Sequence, residues 1–370
     1  MQPPEFVFAG GGTGGHLFPG IAVANAVRAR RPDARIHFLT TDRALDADIL
    51  VKTQFTQFPQ PVRPFSANPL RWPAFWRAWR RSITLAGTMI RAHPPQAVLG
   101  LGGYAAGPAV VAARALRVRS AILNPDAVPG RANRFLARRT DLVVLQWARS
   151  REHFSSATTC AALGCPIRAE FALPPDLPAA RQSFGLAPER PVLLVTGASQ
   201  GAQTVNAAMA RVWPVFSARH ADWQILHLTG VAHEREARAA YAAAGCAARV
   251  VGFTHEMWLA LAASDLVVSR AGASTLAELT ALGKPSVLLP YPYHRDRHQH
   301  ANAQVLVDEG AAVLVEDRLT PADNAAPLLA ALERFANADE RARAAAAARR
   351  LARPDAADRT ATWLLEGCVP

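Results

Sequence analysis

Several features that mark large protein classes are scarce or missing in this sequence. The four cysteines have no CxxC spacing, and there is no run of about 18 apolar residues. We therefore predict reduced thiols, no disulfide framework and no membrane span. No zinc-finger pattern, aromatic RNA-binding motif or basic-region helix is present either, so nucleic acid is not a predicted partner. The chain begins almost directly with an apolar strand-like run, without a targeting segment, which predicts a cytoplasmic protein.

Charged residues make up only 19% of the chain, whereas half of the residues are apolar. This balance is typical of a globular protein, and 370 residues can form two α/β domains with separate cores. The formal net charge is nevertheless +12. The excess of arginine has two interpretations. It reflects either a genomic preference for arginine, or an electrostatic attraction of the protein to an anionic surface, namely phospholipid or a diphosphate substrate.

Short apolar runs alternate with stretches of helical periodicity, which predicts doubly wound parallel sheets. The predicted strands cover residues 6–9, 36–40, 97–101, 120–123 and 141–145, then 191–196, 225–229, 249–253, 265–269 and 286–289. Prolines and glycines between 155 and 190 predict an inter-domain connection. We expect an N-terminal domain over 1–163 and a C-terminal domain over 164–345. The last segment, 346–370, is expected to be a helix that packs back on the N-terminal domain.

Three glycine-rich loops, at 10–15, 102–107 and 197–201, follow predicted strands and precede predicted helices. Such loops allow the backbone to approach a bulky anion closely. The first loop lacks the spacing of a dinucleotide site, which is therefore not favoured. His16 follows it directly, where its imidazole could lie over a bound substrate and act as a general base. Capping or packing at the helix start is the alternative role for His16.

The segment 262–302 has the most informative order of side chains. A buried strand leads through a small-residue turn into a helix, and a helix start can bind an anion. Glu278 lies one turn inside this helix, where a carboxylate reaches ribose hydroxyls. Asp296, Gln299 and Asn302 come after the next strand and are suited to hydrogen bonding with a sugar. Phosphate, ribose and sugar groups in this order indicate a nucleotide-sugar site.

Two patterns resemble metal sites, but neither predicts one. Asp46 and Asp48 form a D-x-D pattern away from the nucleotide segment, so we attribute it to chance. His294, His298 and His300 are separated by arginines, which would repel a cation. The sequence therefore predicts neither a metal nor a cofactor.

Residues 69–91 concentrate tryptophan and arginine. At about 100° per residue, one narrow helical face collects the tryptophans and another side the arginines. An aromatic stripe is usually core, but flanking arginines favour an interfacial helix on anionic lipid. The residues expected to contact the membrane are Trp72, Trp76, Trp79, Arg80 and Arg81.

Five motifs occur in order along the chain: GGGTGGHLFPG, GLGGYAAGP, TGASQGAQTVN, SRAGASTLAE and DRHQHANA. Together they closely resemble the undecaprenyldiphospho-muramoylpentapeptide β-N-acetylglucosaminyltransferases of peptidoglycan synthesis, a GT-B group of glycosyltransferase family 28, over roughly residues 5–320. The resemblance implies two Rossmann-like domains facing a cleft, with UDP-GlcNAc bound mainly by the second and lipid I by the first. It also implies inverting transfer without a metal or cofactor, and a peripheral position on the cytoplasmic face of the plasma membrane. Cell-wall or divisome proteins are possible partners.

The resemblance also implies roles for single residues. The donor-binding positions are Thr13, Gly14, Gly15, Asp126, Arg168, Ser199, Thr254, Ala273, Ser274, Thr275, Leu276, Ala277, Glu278, His298 and Gln299. The loops for the acceptor diphosphate contain Gly12, Gly102, Gly103 and Tyr104. One departure concerns residues 123–126, which read Leu-Asn-Pro-Asp where the family usually has His-Glu-Gln-Asn. Asp126 thus replaces an asparagine, and a carboxylate cannot donate the same hydrogen bond.

Three other functions are compatible with the sequence. A diacylglycerol glycosyltransferase would have the same architecture and a different acceptor. A nucleotide-sugar epimerase would share the fold, but it needs no lipid surface. A non-catalytic UDP-sugar-binding protein of the divisome would bind UDP-GlcNAc without releasing UDP when lipid I is added.

Overall fold

A computed structural model describes residues 3–173, 176–197, 201–293 and 296–369. The chain forms two compact units. The first contains Met1–Arg168 and Arg353–Pro370, and the second contains Ala169–Ala352. Each unit has one parallel sheet with helices between its strands. The predicted fold class, two Rossmann-like doubly wound parallel-sheet domains, is confirmed.

The first unit contains a seven-stranded sheet in the order β3-β2-β1-β4-β5-β6-β7. Its strands are β1 Glu5–Ala9, β2 Arg35–Thr41, β3 Thr56–Gln60, β4 Ala97–Gly100, β5 Ser120–Asn124, β6 Leu142–Leu145 and β7 Cys160–Ala161. Its first five helices are α1 Gly14–Arg30, α2 Ala44–Leu50, α3 Trp72–Ala92, α4 Gly107–Ala115 and α5 Arg131–Ala137. The winding direction reverses between β1 and β4, so the loops after these two strands form a typical ligand-binding position.

The second unit contains a six-stranded sheet in the order β10-β9-β8-β11-β12-β13. Its strands are β8 Val192–Thr196, β9 Gln224–Leu228, β10 Arg249–Val251, β11 Leu266–Ser269, β12 Ser286–Leu288 and β13 Ala312–Leu314. Its helices are α6 Leu177–Ser183, α7 Gln203–Arg219, α8 Glu234–Ala243, α9 Met257–Ala263, α10 Ala273–Ala281, α11 His298–Asp308, α12 Pro321–Ala336 and α13 Ala338–Leu351. Here the winding reverses between β8 and β11.

The last helix of the chain, α14 (Ala356–Glu366), belongs to the first unit and packs on α1. Trp363 and Leu364 are buried in the same apolar cluster as Phe6 of β1. Arg30 of α1 donates to Thr362 Oγ1 at 2.6 Å. The preceding helix α13 stays with the second unit, where it packs on α10.

A buried histidine connects two helices across the core of the second unit by hydrogen bonds. His227 of β9 is fully buried, and its Nε2 lies 3.0 Å from Asn206 Oδ1 of α7. Its Nδ1 lies 2.8 Å from the Tyr241 hydroxyl of α8. Burial lowers the pKa of His227 to about 3, so the imidazole is neutral at physiological pH.

Three strands that the sequence did not predict are present at the sheet edges. β3 is an edge strand with only one fully buried residue and contains Pro59, so it lacks the apolar run that marks central strands. β7 has two residues and β13 three, which is too short for a periodic signal. The segment predicted as a connection contains β7 and the helix α6. Among the described residues, no helix is long and apolar enough to cross a bilayer.

Candidate active site

The glycine loop after β1 is held by a buried carboxylate. Asp46 of α2 accepts the Gly12 N–H at 2.8 and 2.9 Å and the Thr41 N–H at 3.1 Å. A Cβ on Gly11 would overlap Asp46 Oδ2, and Gly12 has a φ of 83° that favours glycine. The first residue of the D-x-D pattern, attributed to chance above, therefore fixes the shape of this loop.

His16 lies in the first turn of α1, and its ring is half-buried. Its Nδ1 is 3.3 Å from the Gly11 carbonyl oxygen and 3.2 Å from Thr13 Oγ1. Since a carbonyl only accepts, Nδ1 carries the proton in this contact, and Nε2 keeps a lone pair that can accept one. Burial lowers the pKa of His16, while the Gly11 hydrogen bond and the charges of Asp126 and Asp46 oppose that shift. The neutral form, which a general base needs, is thus favoured.

The loop after β4 supports the other side of the His16 ring. Gly102 and Gly103 have φ angles of 95° and 71°, and a Cβ on Gly103 would lie 3.0 Å from His16 Cε1. The Tyr104 hydroxyl lies 3.5 Å from the position that a Gly12 Cβ would occupy. The structure therefore brings His16 and the two predicted acceptor loops together within the first unit.

Sequence reasoning missed Arg43, which lies beside the same loop. Its guanidinium donates to the Gly12 carbonyl at 3.1 Å, and the side chain is otherwise exposed. Arg43 follows β2, whose carboxyl end lies next to that of β1. A basic residue two positions after the second strand was the available signal. Its charge makes this surface suitable for an anion.

The segment 123–126, whose sequence differs from the usual family pattern, lies at the end of β5. Asn124 is buried and donates to the Asp126 carbonyl at 2.9 Å, while Asn133 of α5 donates to Asn124 Oδ1 at 3.1 Å. These bonds give the backbone of the segment a defined conformation. The half-buried Asp126 is close enough to His16 for its charge to raise the pKa of that imidazole.

Arg168 also belongs to the first unit. Its guanidinium lies over the ring of Phe18 in α1, 5.1 Å from the ring centroid. A Cβ on Gly14 would lie 3.0 Å from the same Phe18 ring. Thr13 is the N-cap of α1, and Gly15 lies in the first turn of that helix. Both residues are exposed. The predicted diphosphate-contacting arginine is thus close to the start of α1.

In the second unit, the carboxyl ends of β8, β11 and β12 lie side by side. Ser269 of β11 pairs with Thr196 of β8 and with Leu288 of β12. The helix after β11, α10, begins at Ala273, with the extended Gly272 as its N-cap. Its first intrahelical hydrogen bond runs from the Leu276 N–H to the Gly272 carbonyl at 3.0 Å. The positive end of α10 therefore lies at the reversal point of the sheet.

The predicted donor residues of α10 divide by exposure. Leu276 and Ala277 are buried, so their side chains contribute to the core. The half-buried residues are Ala273, Ser274, Thr275 and Glu278. Ser199, predicted to contact the same diphosphate, lies outside the described residues.

The start of α11 is attached to the turn before α10. The buried Asn302 of α11 donates to the Ala271 carbonyl at 3.4 Å, so its side chain connects this helix to the turn before α10. Gln299 Oε1 accepts the Tyr291 N–H at 2.9 Å, which leaves the side-chain amide of Gln299 as a potential donor. His298 Nδ1 lies 2.7 Å from Asp296 Oδ1. His300 instead lies 2.9 Å from Glu316, and His294 is outside the described residues.

Sequence reasoning also missed the buried Arg270, which joins the strand ends. It pairs with Asp317 at 2.8 Å, and its guanidinium donates to the Leu289 carbonyl and Thr204 Oγ1. Burial would raise the pKa of Asp317, but hydrogen bonds from Thr204, Asn324, the Leu319 N–H and Arg270 outweigh it and lower that pKa. A charged residue within an apolar stretch was the available signal.

Thr254, the predicted uracil position, lies in the loop after β10. Its Oγ1 accepts the Glu256 N–H at 3.0 Å, just before α9. The neighbouring Phe253 is exposed, and its ring centroid lies 4.9 Å from that of His255. An exposed ring beside this turn is available to a planar ligand.

The predicted membrane helix α3 presents a continuous aromatic surface at its N-terminal end. The rings of Phe65, Trp72, Phe75, Trp76, Trp79 and Phe135 contact one another in series. Trp72 and Trp76 are 42% and 52% exposed, and Arg80 and Arg81 are exposed beside them. Trp79 differs, because its indole packs closely on Gly107 of α4. The side of α3 that faces the core carries smaller residues, such as Ala78 and Ala86.

Comparisons with known proteins define the class. A family model described as the glycosyltransferase family 28 N-terminal domain matches residues 6–145, and that of the C-terminal domain matches residues 192–360. The chain is therefore a two-domain glycosyltransferase of family 28.

Similar proteins define a narrower family within this class of glycosyltransferases. The chain is 36% identical over 367 residues to a protein of Solibacter usitatus, covering 99% of this chain and 97% of the relative. It is 39% identical over 371 residues to one of Sorangium cellulosum, covering 97% and 87%. Both are UDP-N-acetylglucosamine–N-acetylmuramyl-(pentapeptide) pyrophosphoryl-undecaprenol N-acetylglucosamine transferases. The chain belongs to this family, as its motifs predicted.

Solved structures with a similar fold include a member of the same family. The crystal structure of Acinetobacter baumannii MurG is similar with a TM-score of 0.76 and 25% identity, covering 98% of this chain and all of that one. A UDP-GlcNAc 2-epimerase from Neisseria meningitidis bound to UDP-GlcNAc has a TM-score of 0.69 with 12% identity, covering 98% of this chain and all of that one. At that identity the epimerase likeness concerns the fold alone.

Proposed function

We propose that this chain transfers GlcNAc from UDP-GlcNAc to the 4-hydroxyl of MurNAc in undecaprenyl-pyrophosphoryl-MurNAc-pentapeptide (lipid I), making lipid II for peptidoglycan. The observation that carries this proposal is the identity of 36–39% over nearly the whole chain to enzymes with that name. A half-buried imidazole with a lone pair beside two glycine loops supports it, because the reaction needs a base there.

The proposed chemistry is a single displacement. Nε2 of His16 accepts the proton of the acceptor 4-hydroxyl as its oxygen attacks the anomeric carbon. The new C–O bond forms on the face opposite UDP, which leaves with the electron pair of the broken bond, so an α-linked donor gives a β-linked product. The positive end of α10 stabilises the charge that develops on UDP. The His16 proton then passes to solvent.

We assign donor binding mainly to the second unit. Glu278 accepts hydrogen bonds from the ribose, the loop containing Thr254 receives uracil, and the Gln299 amide donates to the GlcNAc hydroxyls. The first turn of α10, Ser199 and Arg168 are assigned to the diphosphate. Thr13, Gly14, Gly15, Asp126 and His298 are assigned to the sugar.

We assign the acceptor diphosphate to the two glycine loops of the first unit. Gly12, Gly102, Gly103 and Tyr104 provide its backbone and hydroxyl surface, and we add Arg43 for its charge. The exposed part of the aromatic surface on α3, with Arg80 and Arg81, is assigned to the cytoplasmic face of the plasma membrane, where the lipid tail of the acceptor lies. Cell-wall and divisome proteins are proposed partners at the same membrane.

The test is UDP release by the purified chain with UDP-GlcNAc and a lipid I analogue. We expect turnover with this acceptor and none with diacylglycerol. His16→Ala should lower kcat by roughly 10²–10⁴-fold with little change in UDP affinity, since only the base is removed. Turnover with diacylglycerol alone, or binding of UDP-GlcNAc without UDP release, would refute the proposal.

A further inference from the structure

Three side chains that the proposed reaction does not use converge near the amino ends of β1 and β2. Glu5 begins β1, His37 lies in β2, and His93 directly follows α3. Glu5 Oε2 lies 3.0 Å from His37 Nε2 and 3.4 Å from His93 Nδ1, and all three donor atoms are within 4.8 Å of one another. The cluster is at the end of the sheet opposite the glycine loops, because the latter follow the carboxyl ends of β1 and β4.

The spacing fits a tetrahedral metal centre. Bonds of about 2.0–2.1 Å around Zn²⁺ place neighbouring ligand atoms about 3.3 Å apart, which lies between the two distances from Glu5 Oε2 to the imidazole nitrogens. The two nitrogens are within 4.8 Å of each other, so a small side-chain rotation brings them to the same spacing. Two imidazoles and a carboxylate suit Zn²⁺, Co²⁺ or Ni²⁺, whereas Mg²⁺ and Ca²⁺ prefer oxygen ligands only. The three residues come from distant parts of the sequence, which explains why no ligand spacing indicated them.

Burial and access also fit a bound ion. The side chains of Glu5 and His37 are 14% and 9% exposed, so their donor atoms are largely shielded from water. His93 is more open, at 42%, and it lines a groove of about 640 Å³ between α3 and β3, together with Phe58 and Met89. This groove provides an entry path and room for a water molecule as the fourth ligand.

The arginine next to Glu5 contacts only one oxygen of its carboxylate, so the other oxygen can bind the ion. Arg35 lies 3.6 Å from Oε1 of Glu5 and is 59% exposed, so its charge is well solvated, and Oε2 faces the two imidazoles. Arg80 and Arg81 line the groove as well and disfavour a highly charged ion. His37 Nδ1 is buried without a hydrogen-bond partner among the described residues. Since such a partner strengthens metal binding by roughly 10–100-fold, we expect moderate affinity.

We propose that Glu5, His37 and His93 bind one Zn²⁺, or a similar divalent transition metal, as a three-ligand site that joins β1, β2 and the end of α3. This inference does not depend on the proposed transferase activity. It departs from the expectation, drawn from the sequence, that the protein has no metal ligands.

The test is a titration of the metal-free full-length chain with Co²⁺, followed by visible absorption. We expect one equivalent to give the intense bands of four-coordinate Co²⁺, and Zn²⁺ to displace it. Zn²⁺ should also raise the denaturant midpoint, since a ligand that binds only the folded chain stabilises it. His93→Gln, at the most open of the three positions, should abolish both effects. Glu5→Gln, which keeps the side-chain shape, should weaken both.

The matched control is His300→Gln, because His300 is a half-buried histidine beside a carboxylate, Glu316, in the second unit. This variant should bind Co²⁺ as the unchanged protein does. Binding that survives His93→Gln, binding that is lost in His300→Gln, or only the pale spectrum of hydrated Co²⁺ would each overturn the proposal. No substrate enters the measurement, so failure of the transferase assay would leave its result intact.

Discussion

Two carboxylates of the first unit act on His16 in the same direction, although their positions differ. Asp46 is fully buried, and its oxygens are engaged by backbone amides and by Thr41. Asp126 is half-buried at the end of β5. Both charges raise the pKa of His16 against the lowering effect of burial. Asp126 can be changed without opening the glycine loop, so it is the residue through which the base can be tuned.

Asp126→Asn should shift the pH dependence of turnover to lower pH. The variant removes a charge that favours the imidazolium, so the pKa of His16 falls further below its usual value. Since a general base works only when neutral, the acidic limb of the kcat/KM profile should move toward acid. The control is Asp48→Asn, an exposed carboxylate of α2. A limb that stays in place, or moves toward alkaline pH, would contradict the influence of Asp126 on the base.

Arg43→Gln should weaken acceptor binding selectively. The change removes the positive charge beside Gly12 but keeps a side chain that can donate a hydrogen bond. A hydrogen bond to a charged group contributes about 1.5–3 kcal/mol, so KM for lipid I should rise roughly tenfold or more. KM for UDP-GlcNAc should change little. Arg235→Gln, at an exposed arginine of α8, is the control, and equal effects on both substrates would argue against this assignment.

At the scale of single elements, the tryptophans of α3 have two different roles, packing within the protein and exposure at its surface. The sequence pattern did not separate these roles. The periodicity correctly predicted a helix with aromatic residues on one side and arginines on another. It did not distinguish Trp79, which packs on Gly107, from the exposed Trp72 and Trp76. The contact depends on a glycine that lies 28 residues further along the chain, so no local pattern could indicate it.

Trp76→Ala should therefore weaken binding to vesicles rich in anionic phospholipid without loss of stability. Burying a large aromatic side chain in the interface stabilises binding by about 1.5–3 kcal/mol, which corresponds to a loss of roughly tenfold or more in the partition coefficient. Trp79→Ala is the comparison, and it should cost about 3 kcal/mol of folding stability because its indole is packed on Gly107 and half-buried. Sedimentation with vesicles measures the first effect and urea denaturation the second. Unchanged sedimentation of Trp76→Ala would exclude this surface as the membrane contact.

The central elements were predictable from sequence, and the edges were not. β1, β4, β8 and β11 are short buried apolar runs followed by small-residue turns, so each gives a strong local signal. In the site, His16 was predicted as the base because it follows a glycine loop, and that role stays a prediction. Asp46 was dismissed, since its role depends on a hydrogen bond to a loop 34 residues away. Arg43 and Arg270 act through similar long-range contacts, which the sequence does not display.

At the scale of the whole molecule, the buried His227 should make the protein sensitive to acid. Its pKa is about 3 when folded and about 6.5 in an unfolded chain, so between these values only the unfolded chain binds the proton. Stability must then fall as the pH falls through this window, by about 2 kcal/mol between pH 7 and pH 5.

Denaturant unfolding at a series of pH values, followed by tryptophan fluorescence, to which Trp213 and Trp223 of the same core contribute, measures this loss. His227→Gln should have a flatter dependence between pH 4 and 6.5, although its stability at pH 7 will be lower because Tyr241 and Asn206 lose their partner. The exposed His255→Gln should keep the slope of the original protein. Parallel slopes for all three proteins would remove His227 as the source of acid sensitivity.

The position of α14 has a consequence for biosynthesis. Ala361, Trp363 and Leu364 complete the apolar cluster around β1, yet a ribosome makes them about two hundred residues after Arg168. At 5–20 residues per second this is a delay of roughly 10–40 s. The nascent amino-terminal half must wait, with part of its interior uncovered, while the middle of the polypeptide is translated. Chaperone demand and sensitivity to premature termination should therefore concentrate in the half that emerges first.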